Sequence, residues 1–263
     1  KLCPVPIEVV NKPGGSGAVC YSFTASQKGN PYYVQNTSQN FITTPIRNPS
    51  CPDYTQFTPI ARLAVDQNAI AVGASSPFKT MADLVEYGRG RPKELKWGGT
   101  SVGAPDHLTM VLIGKVTDAK FNYIAFDSSR EVIPNLLGGH LDVATLNVSE
   151  TLPHVAAGKM RVLGLATEKR SELLPDVPTL REQGIDVVLY VQRGVVAPAD
   201  IPEDARKFLI SMFRKATQTS EWKEFVRSQA MADGWLEGDA YMHFQKENTE
   251  MMRALLAELG LAK

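Results

Sequence analysis

The sequence lacks several features that assign a chain to a class at once. No run of about 18 uninterrupted apolar residues occurs, so no transmembrane helix is expected. The N-terminus shows no signal-peptide pattern, and we expect any export signal to have been removed. Cysteine is scarce: Cys3, Cys20 and Cys51 are an odd number without CxxC spacing, which excludes complete intramolecular pairing. Three separate thiols or one disulfide bridge in an oxidising compartment both remain open.

The sequence also lacks an excess of charge of either sign. Lys and Arg total 28, as do Asp and Glu, so the formal net charge is zero and nucleic acid is not an expected partner. The four histidines lack HxxxH or HExxH spacing, which argues against a metal site, and no cofactor is expected. With 43% hydrophobic and 21% charged residues in 263, the chain is globular, with one large domain or two small ones.

What the chain does have is an alternation of short β-branched or aromatic runs with amphipathic helical stretches. This alternation predicts right-handed βαβ units, a mostly parallel sheet and the α/β class. After Pro198 and Pro202 only helical patterns occur, which predicts a helical tail without a strand. The predicted strands are residues 6–10, 32–36, 60–65, 69–74, 95–97, 122–126, 141–146, 161–166 and 187–191.

Helix boundaries carry recognisable capping chemistry. Thr80 and Asp83 have capping-box spacing, and Ser128 and Glu131 have it again before a helix that should stop at Gly138. For the domains, one economical arrangement places residues 76–193 in one lobe and residues 1–75 and 194–263 in the other. Two chain crossings would then form a hinge between the lobes.

Three turns follow predicted strands and begin helices. The first, residues 12–17, has Cys20 where a dinucleotide fingerprint needs glycine and lacks a P-loop ending, so it favours only an unspecified anion. The third, residues 126–130, again begins a helix. Three helix N-termini directed at one crevice would give partial positive charge without a lysine cluster, which favours a bound carboxylate.

The second turn, residues 98–107, raises an enzymatic alternative. Gly99 to Gly103 matches G-x-S-x-G, the nucleophile elbow of serine hydrolases, with Ser101 at its centre. An elbow needs the helix to start directly after the serine, whereas Pro105 is predicted as the first helical residue. A triad would also need an acid and one of the downstream histidines His140, His154 and His243. Serine hydrolase is therefore the alternative function.

Taken together, these segments resemble the solute-binding proteins of tripartite tricarboxylate transporters, the Bug family. The similarity runs nearly end to end, and its specificity lies in the order and spacing of the motifs. The matching stretches are residues 9–17, 98–108, 136–143, 157–163, 174–180 and 193–198.

The resemblance implies a type II periplasmic binding fold, with two lobes that each contain a mostly parallel sheet flanked by helices. It implies a monomeric periplasmic protein that binds a di- or tricarboxylate or an aromatic carboxylate, works with membrane subunits and has no enzymatic activity. By position, the expected ligand-binding residues are Ser38, Thr100, Ser101, Asp127, Ser128, Asn147 and Arg193.

Several of these residues have structural alternatives, and the sequence departs from the family in two places. Arg193 could be an exposed strand end, Asn147 a helix cap and Asp127 an acceptor for loop N–H groups; Arg130 is a further candidate contact. The 126–130 loop is serine-rich where relatives have glycine, which could alter ligand choice. The family's first strand and its glycine-rich loop are missing, so we expect the sequence to be an incomplete mature chain.

Overall fold

The computed structural model describes residues 2–100 and 102–262 and divides into two compact units. Unit 1 comprises the chain up to Val65, Gln192–Ser228 and the chain from Asp233; unit 2 comprises Asp66–Val191 and Gln229–Ala232. This division differs from the expected boundaries: residues 192 and 193 fall in unit 1, residues 229–232 fall in unit 2, and so does the segment 66–75. The strand in that segment pairs with two strands of unit 2, which fixes its membership.

Unit 1 is built on a four-stranded sheet with the order β1-β8-β2-β9, in which β1 pairs antiparallel with β8. Helix α2 packs against α9, and Phe41 and Tyr241 on these helices are fully buried. The strands are β1 (Gln35–Thr37), β2 (Phe57–Asp66), β8 (Val191–Pro198) and β9 (Met231–Glu237), and the helices are α1 (Ala18–Ala25), α2 (Asn40–Arg47), α7 (Glu203–Thr217), α8 (Ser220–Ser228) and α9 (Gly238–Glu258).

Two sequence predictions for unit 1 are wrong. The tail after Pro202 contains a strand, β9, in which Gly234 lies so close to the Ala64 backbone that a Cβ would meet it at 2.9 Å. The β9 segment pairs apolar residues at its start and at Trp235 and Leu236 around Asp233 and Gly234, which gives no two-residue alternation, so the pattern does not indicate this strand. Residues 6–10 form no strand, and Val9 is 83% exposed. The apolar character of residues 6–10 does not suffice to form a strand, because a strand also needs a neighbouring strand for its backbone hydrogen bonds.

Unit 2 contains a five-stranded sheet with the order β5-β4-β6-β3-β7. Strand β4 is parallel to β5 and β6, but β3 is antiparallel to both β6 and β7. The sheet is therefore mixed, and the prediction of a mostly parallel sheet is corrected; the α/β class with two helix-flanked sheets is confirmed. The strands are β3 (Asn68–Gly73), β4 (Lys96–Gly99), β5 (Asn122–Ala125), β6 (Val143–Asn147) and β7 (Met160–Leu165).

Alternating residues of β3 show how this sheet is covered on both faces. Ile70 and Val72 belong to one buried apolar cluster, whereas Ala69 and Ala71 belong to a second. Helices on each face supply the rest of the apolar contacts, which explains why the strands read as continuous apolar runs. The helices of unit 2 are α3 (Met81–Gly90), α4 (Pro105–Thr117), α5 (Ser129–Leu137) and α6 (Val148–Ala156).

The capping predictions have different outcomes. Thr80 caps α3 as predicted: its Oγ1 accepts from Asp83 N–H at 3.2 Å, and Asp83 accepts from Thr80 N–H at 2.9 Å. Ser128 does precede α5, but its side chain makes no capping hydrogen bond, so the second capping box is wrong. The strand predicted at 187–191 begins instead at its last residue, Val191. None of the helices described here is long and apolar enough to cross a membrane.

Candidate functional site

The parallel part of the unit 2 sheet sets up the candidate site. Strands β5, β4 and β6 are neighbours that run in the same direction, so their carboxyl ends lie at one edge of the sheet. Each is followed by a helix: α5 after β5, α4 after β4 and α6 after β6. Ligands of open α/β sheets bind in the crevice outside such strand ends, and helix N-termini there favour anions.

A cavity of about 150 Å³ lies at this edge. It is lined by strand ends, by the first turns of all three helices, by the first residue of β3 and by Val191, the last residue of the main segment of unit 2. Among the described residues, no Lys, Arg or His side chain belongs to this lining, whereas two carboxylic acids do. The lining residues are Asn68, Thr100, Pro105, Asp106, Ser129, Val132, Thr145, Leu146, Asn147, Glu150 and Val191.

The loop after β4 is held by Asp106 in the first turn of α4. The Asp106 carboxylate accepts hydrogen bonds from Thr100 N–H and, at 3.0 Å, from the Thr100 hydroxyl. Tyr123 on β5 donates its hydroxyl to Thr100 O at 2.7 Å. Burial is the main cause that raises the pKa of Tyr123, followed by the Asp106 charge, so the phenol stays protonated as a donor. These contacts fix the loop at the cavity.

His107 supports the same loop from within α4. Its Nδ1 accepts from Gly103 N–H at 3.0 Å, and its ring packs on Tyr123 with the ring centroids 4.3 Å apart. Burial lowers the pKa of His107, an effect that the Asp106 charge opposes. A neutral imidazole is required for Nδ1 to accept, so burial favours the protonation state that the loop needs.

The other side of the cavity is formed by the end of β6 and the start of α6. Glu150 accepts from Asn147 N–H at 2.8 Å, which ties the strand end to the helix. Thr145 is buried and accepts from the Trp97 indole N–H at 2.9 Å. Asn68 is 3% exposed and donates to Leu189 O at 3.1 Å. The lining is thus largely fixed by its own hydrogen bonds.

The structure brings some of the predicted residues together and separates others. Thr100 and Asn147 line the cavity, whereas Ser129 lines it in place of Ser128. Asp127 is exposed before α5 and does not line it. Ser101 lies outside the described residues.

Two predicted residues belong to unit 1 and are not part of this cavity. Ser38 is half-buried between β1 and α2, where its carbonyl accepts from Phe41 N–H at 3.1 Å. Arg193 is exposed on β8. Both stay predictions as ligand contacts.

Sequence reasoning missed five polar residues of the described lining: Asn68, Asp106, Ser129, Thr145 and Glu150. Glu150 carried a usable signal, because it stands three residues after Asn147 in the spacing of a helix cap. Thr145 was hidden inside an apolar strand, and Asn68 reaches the cavity only through the antiparallel pairing of β3 with β6. Because that pairing joins strands that are distant in the chain, the local sequence pattern does not indicate it.

The hydrolase alternative receives no support from the geometry. Helix α4 begins at Pro105, four residues beyond Ser101, as predicted. His140 and His243 are exposed, and neither they nor His154 lines the cavity. Across residues 2–100 and 102–262, no group of three or more His, Cys, Asp or Glu side chains is arranged to hold a metal ion.

Comparison with known proteins gives similarities over almost the whole chain. The family model described as tripartite tricarboxylate transporter family receptor matches residues 2–261. The UPF0065 protein in the gbd 5'region of Cupriavidus necator is 29% identical over 267 residues, covering 100% of this chain and 80% of that protein.

Solved structures show the same similarity. The crystal structure of a TctC solute binding protein from Polaromonas, without ligand, has a TM-score of 0.88 and 26% identity, covering 95% of this chain and 86% of that chain. An R. palustris protein solved with adipate shares the fold, with a TM-score of 0.77 and 23% identity over 96% of this chain and 86% of that chain.

Proposed function

The chain belongs to the tripartite tricarboxylate transporter receptor family, whose members are solute-binding proteins rather than enzymes, and from this premise we propose that it captures a small organic carboxylate for transport. The observation that carries the proposal is the cavity of unit 2, where three helix N-termini meet at the ends of parallel strands. N–H groups of first helical turns have no partner within their helix, and the helix dipole favours an anion there.

Among the three helices at the cavity, α5 is the one whose first-turn acid does not line it. Its N-cap residue, Ser128, makes no side-chain capping hydrogen bond, and Ser129 in its first turn lines the cavity. A carboxylate oxygen at this end would accept from the main-chain N–H groups and from the Ser129 hydroxyl. Such charge-assisted bonds need no cationic side chain, which agrees with the described part of the lining, where none occurs.

The family also supports a location and partners for this chain. We infer that it works in the periplasm after removal of a signal peptide, as a monomer that delivers its ligand to membrane subunits of the transporter. The adipate in the R. palustris protein supports a dicarboxylate as a ligand class. We also propose that Ser38, Ser101, Ser128 and Arg193 contact the ligand.

A thermal-shift screen tests the binding function. We expect at least one mono-, di- or tricarboxylate to raise the melting temperature while its amide or ester does not, because the helix N-termini select for negative charge. Ligand at about 100 times its dissociation constant stabilises the protein by about 2.7 kcal/mol. Equal stabilisation by the neutral analogues would contradict the proposal.

A pair of serine variants tests whether the ligand binds at the unit 2 cavity. Ser129→Ala should weaken binding of the stabilising acid by about 0.5–1.5 kcal/mol, the cost of one hydrogen bond. Ser149→Ala is the matched control, because Ser149 is exposed in the first turn of α6 and does not line the cavity. Equal affinities of both variants and the wild-type protein would place the ligand elsewhere.

A further inference from the structure

The loop after β4 is held against α4 by one titratable side chain, His107. We propose that the neutral imidazole of His107 positions this loop for ligand binding, so that protonation of His107 in acid weakens the binding of the ligand. The inference rests on the proposed function, because it adds control by protons to the cavity that binds the ligand. His107 is a positioning residue, since it bonds to the loop and does not itself line the cavity.

The first step is the direction of the hydrogen bond between Gly103 and His107. A main-chain N–H can only donate, so the ring nitrogen that lies 3.0 Å from the Gly103 nitrogen must be unprotonated. In the imidazolium both ring nitrogens carry hydrogen, and two donors would then face each other across this distance. The hydrogen bond and the protonated state of His107 therefore exclude each other.

The second step is that the ring has little room to adapt. His107 is 7% exposed, and its ring lies against that of Tyr123 with the centroids 4.3 Å apart. A buried imidazolium whose Nδ1–H has no acceptor costs free energy. Because packing restrains the ring, the loop that carries Gly103 is the part that shifts when His107 is protonated.

The third step connects this loop to the cavity. Thr100 and Pro105 line the cavity, and Gly103 lies between them in the chain. Thr100 is held in place by the Asp106 carboxylate and by the Tyr123 hydroxyl. A shift of Gly103 therefore moves the backbone between two lining positions, and the affinity for the ligand should fall when the bond to His107 is lost.

The groups around His107 determine when it is protonated. Burial lowers the pKa of His107, and the charge of the adjacent Asp106 on α4 opposes this effect. From β5 the ring of Tyr123 faces it, and that phenol stays protonated because burial raises its pKa. Strand β6, which packs against α4, contains no titratable residue. Lys96 of β4 is exposed at the end of that strand remote from the loop.

The direction of the pH dependence tests the inference, because attraction between a bound anion and an imidazolium would instead tighten binding in acid. Calorimetric titrations with adipate, malate and succinate would be run at pH 7.5 and pH 5.5 on the wild-type protein and on His107→Asn. The asparagine keeps an acceptor oxygen near the place of Nδ1 but cannot be protonated. On acidification, we expect the wild-type affinity to fall at least about threefold more than that of His107→Asn, within the limit of about tenfold per pH unit that one proton sets.

Titrations in two buffers that differ in their enthalpy of ionisation measure the protons that binding displaces, which a merely structural role of His107 would not change. At pH 5.5 we expect the wild-type protein to release more protons on binding than His107→Asn does. His140→Asn is the matched control, because His140 is exposed after α5 and does not line the cavity, and it should behave like the wild-type protein.

The possible outcomes separate this inference from the proposed function. Wild-type binding that is unchanged or tighter at pH 5.5, or equal pH dependence and proton release in all three proteins, would overturn the inference and leave the proposed function intact. A complete lack of binding by every acid at both pH values would refute both. Where His107→Asn fails to fold, weaker binding with proton release in the wild-type protein and in His140→Asn supports the inference, and the lack of either overturns it.

Discussion

At the scale of single residues, the site depends on how closely the β4 loop approaches its neighbours. Gly99 ends β4, and a Cβ there would collide with the Tyr123 hydroxyl and, at 2.7 Å, with Asp106 Oδ2. Both side chains bond to Thr100, so the absence of a side chain at Gly99 allows the contacts that shape the cavity. The role of this glycine is steric, since no positive φ is recorded for it.

Gly99→Ala should therefore destabilise the protein and weaken ligand binding together. An overpacked site costs about 1–3 kcal/mol, and the displaced contacts belong to the cavity. Urea denaturation and ligand titration measure the two effects. Gly90→Ala is the matched control: Gly90 ends α3 with open space around it, and alanine should be neutral or stabilising by up to about 1 kcal/mol. Gly99→Ala behaving like Gly90→Ala would show that the close contacts do not matter.

His107 predicts a pH dependence of stability. Burial lowers its folded-state pKa from the ordinary 6.5, so below that pH the unfolded chain binds more protons than the folded chain. Stability should fall as the pH drops from about 6.5 towards the folded-state pKa, because protonation removes the acceptor for Gly103 N–H. Unfolding free energies at pH 7.5 and 5.5 should differ more in the wild-type protein than in His107→Asn. Equal differences in the two proteins would contradict this role.

Two of the residues expected from the family resemblance lie at the cavity, and their contact with a ligand stays a prediction. Thr100 and Asn147 stand at the ends of β4 and β6, and that position alone directs them to the cavity. Asp106 was not found because a first-turn acid is an ordinary feature of helices. Its function depends on the folded position of the Thr100 backbone, which the sequence pattern does not encode.

At the scale of elements, local chemistry predicted helix starts better than strand pairing. Pro105 begins α4 and Thr80 caps α3 as expected, because both signals act within one helical turn. The segment 6–10 and β9 were misjudged because a strand is defined by a partner distant in sequence. β9 lies beside β2, with Gly234 against the Ala64 backbone.

The cap of α3 gives a direct test of this local chemistry. Thr80→Ala removes the acceptor for Asp83 N–H and should cost about 1 kcal/mol of unfolding free energy. Thr80→Ser keeps a hydroxyl at the same place and should remain close to the wild-type value. Chemical denaturation of the three proteins measures both effects. A loss in Thr80→Ser as large as in Thr80→Ala would mean that the hydroxyl is not what stabilises the helix.

At the scale of the whole molecule, the strand-helix alternation was enough to predict the α/β class, and two sheets flanked by helices confirm it. The alternation does not predict the direction of β3, because that direction is set by pairing with β6 and β7 about 75 to 95 residues downstream. The order and spacing of motifs indicated the family, which the match over residues 2–261 confirms. Members of this family bind solutes and are not enzymes, so the function to be tested is reversible binding of a ligand.

Calorimetric titration of the purified protein with the acid that stabilises it most, followed by NMR analysis of the recovered acid, tests this central claim most directly. The account predicts saturable binding with one ligand per chain and recovery of the acid chemically unchanged, since a receptor holds its ligand without breaking bonds. Absence of saturable binding by any acid, or conversion of the acid into a product, would contradict it.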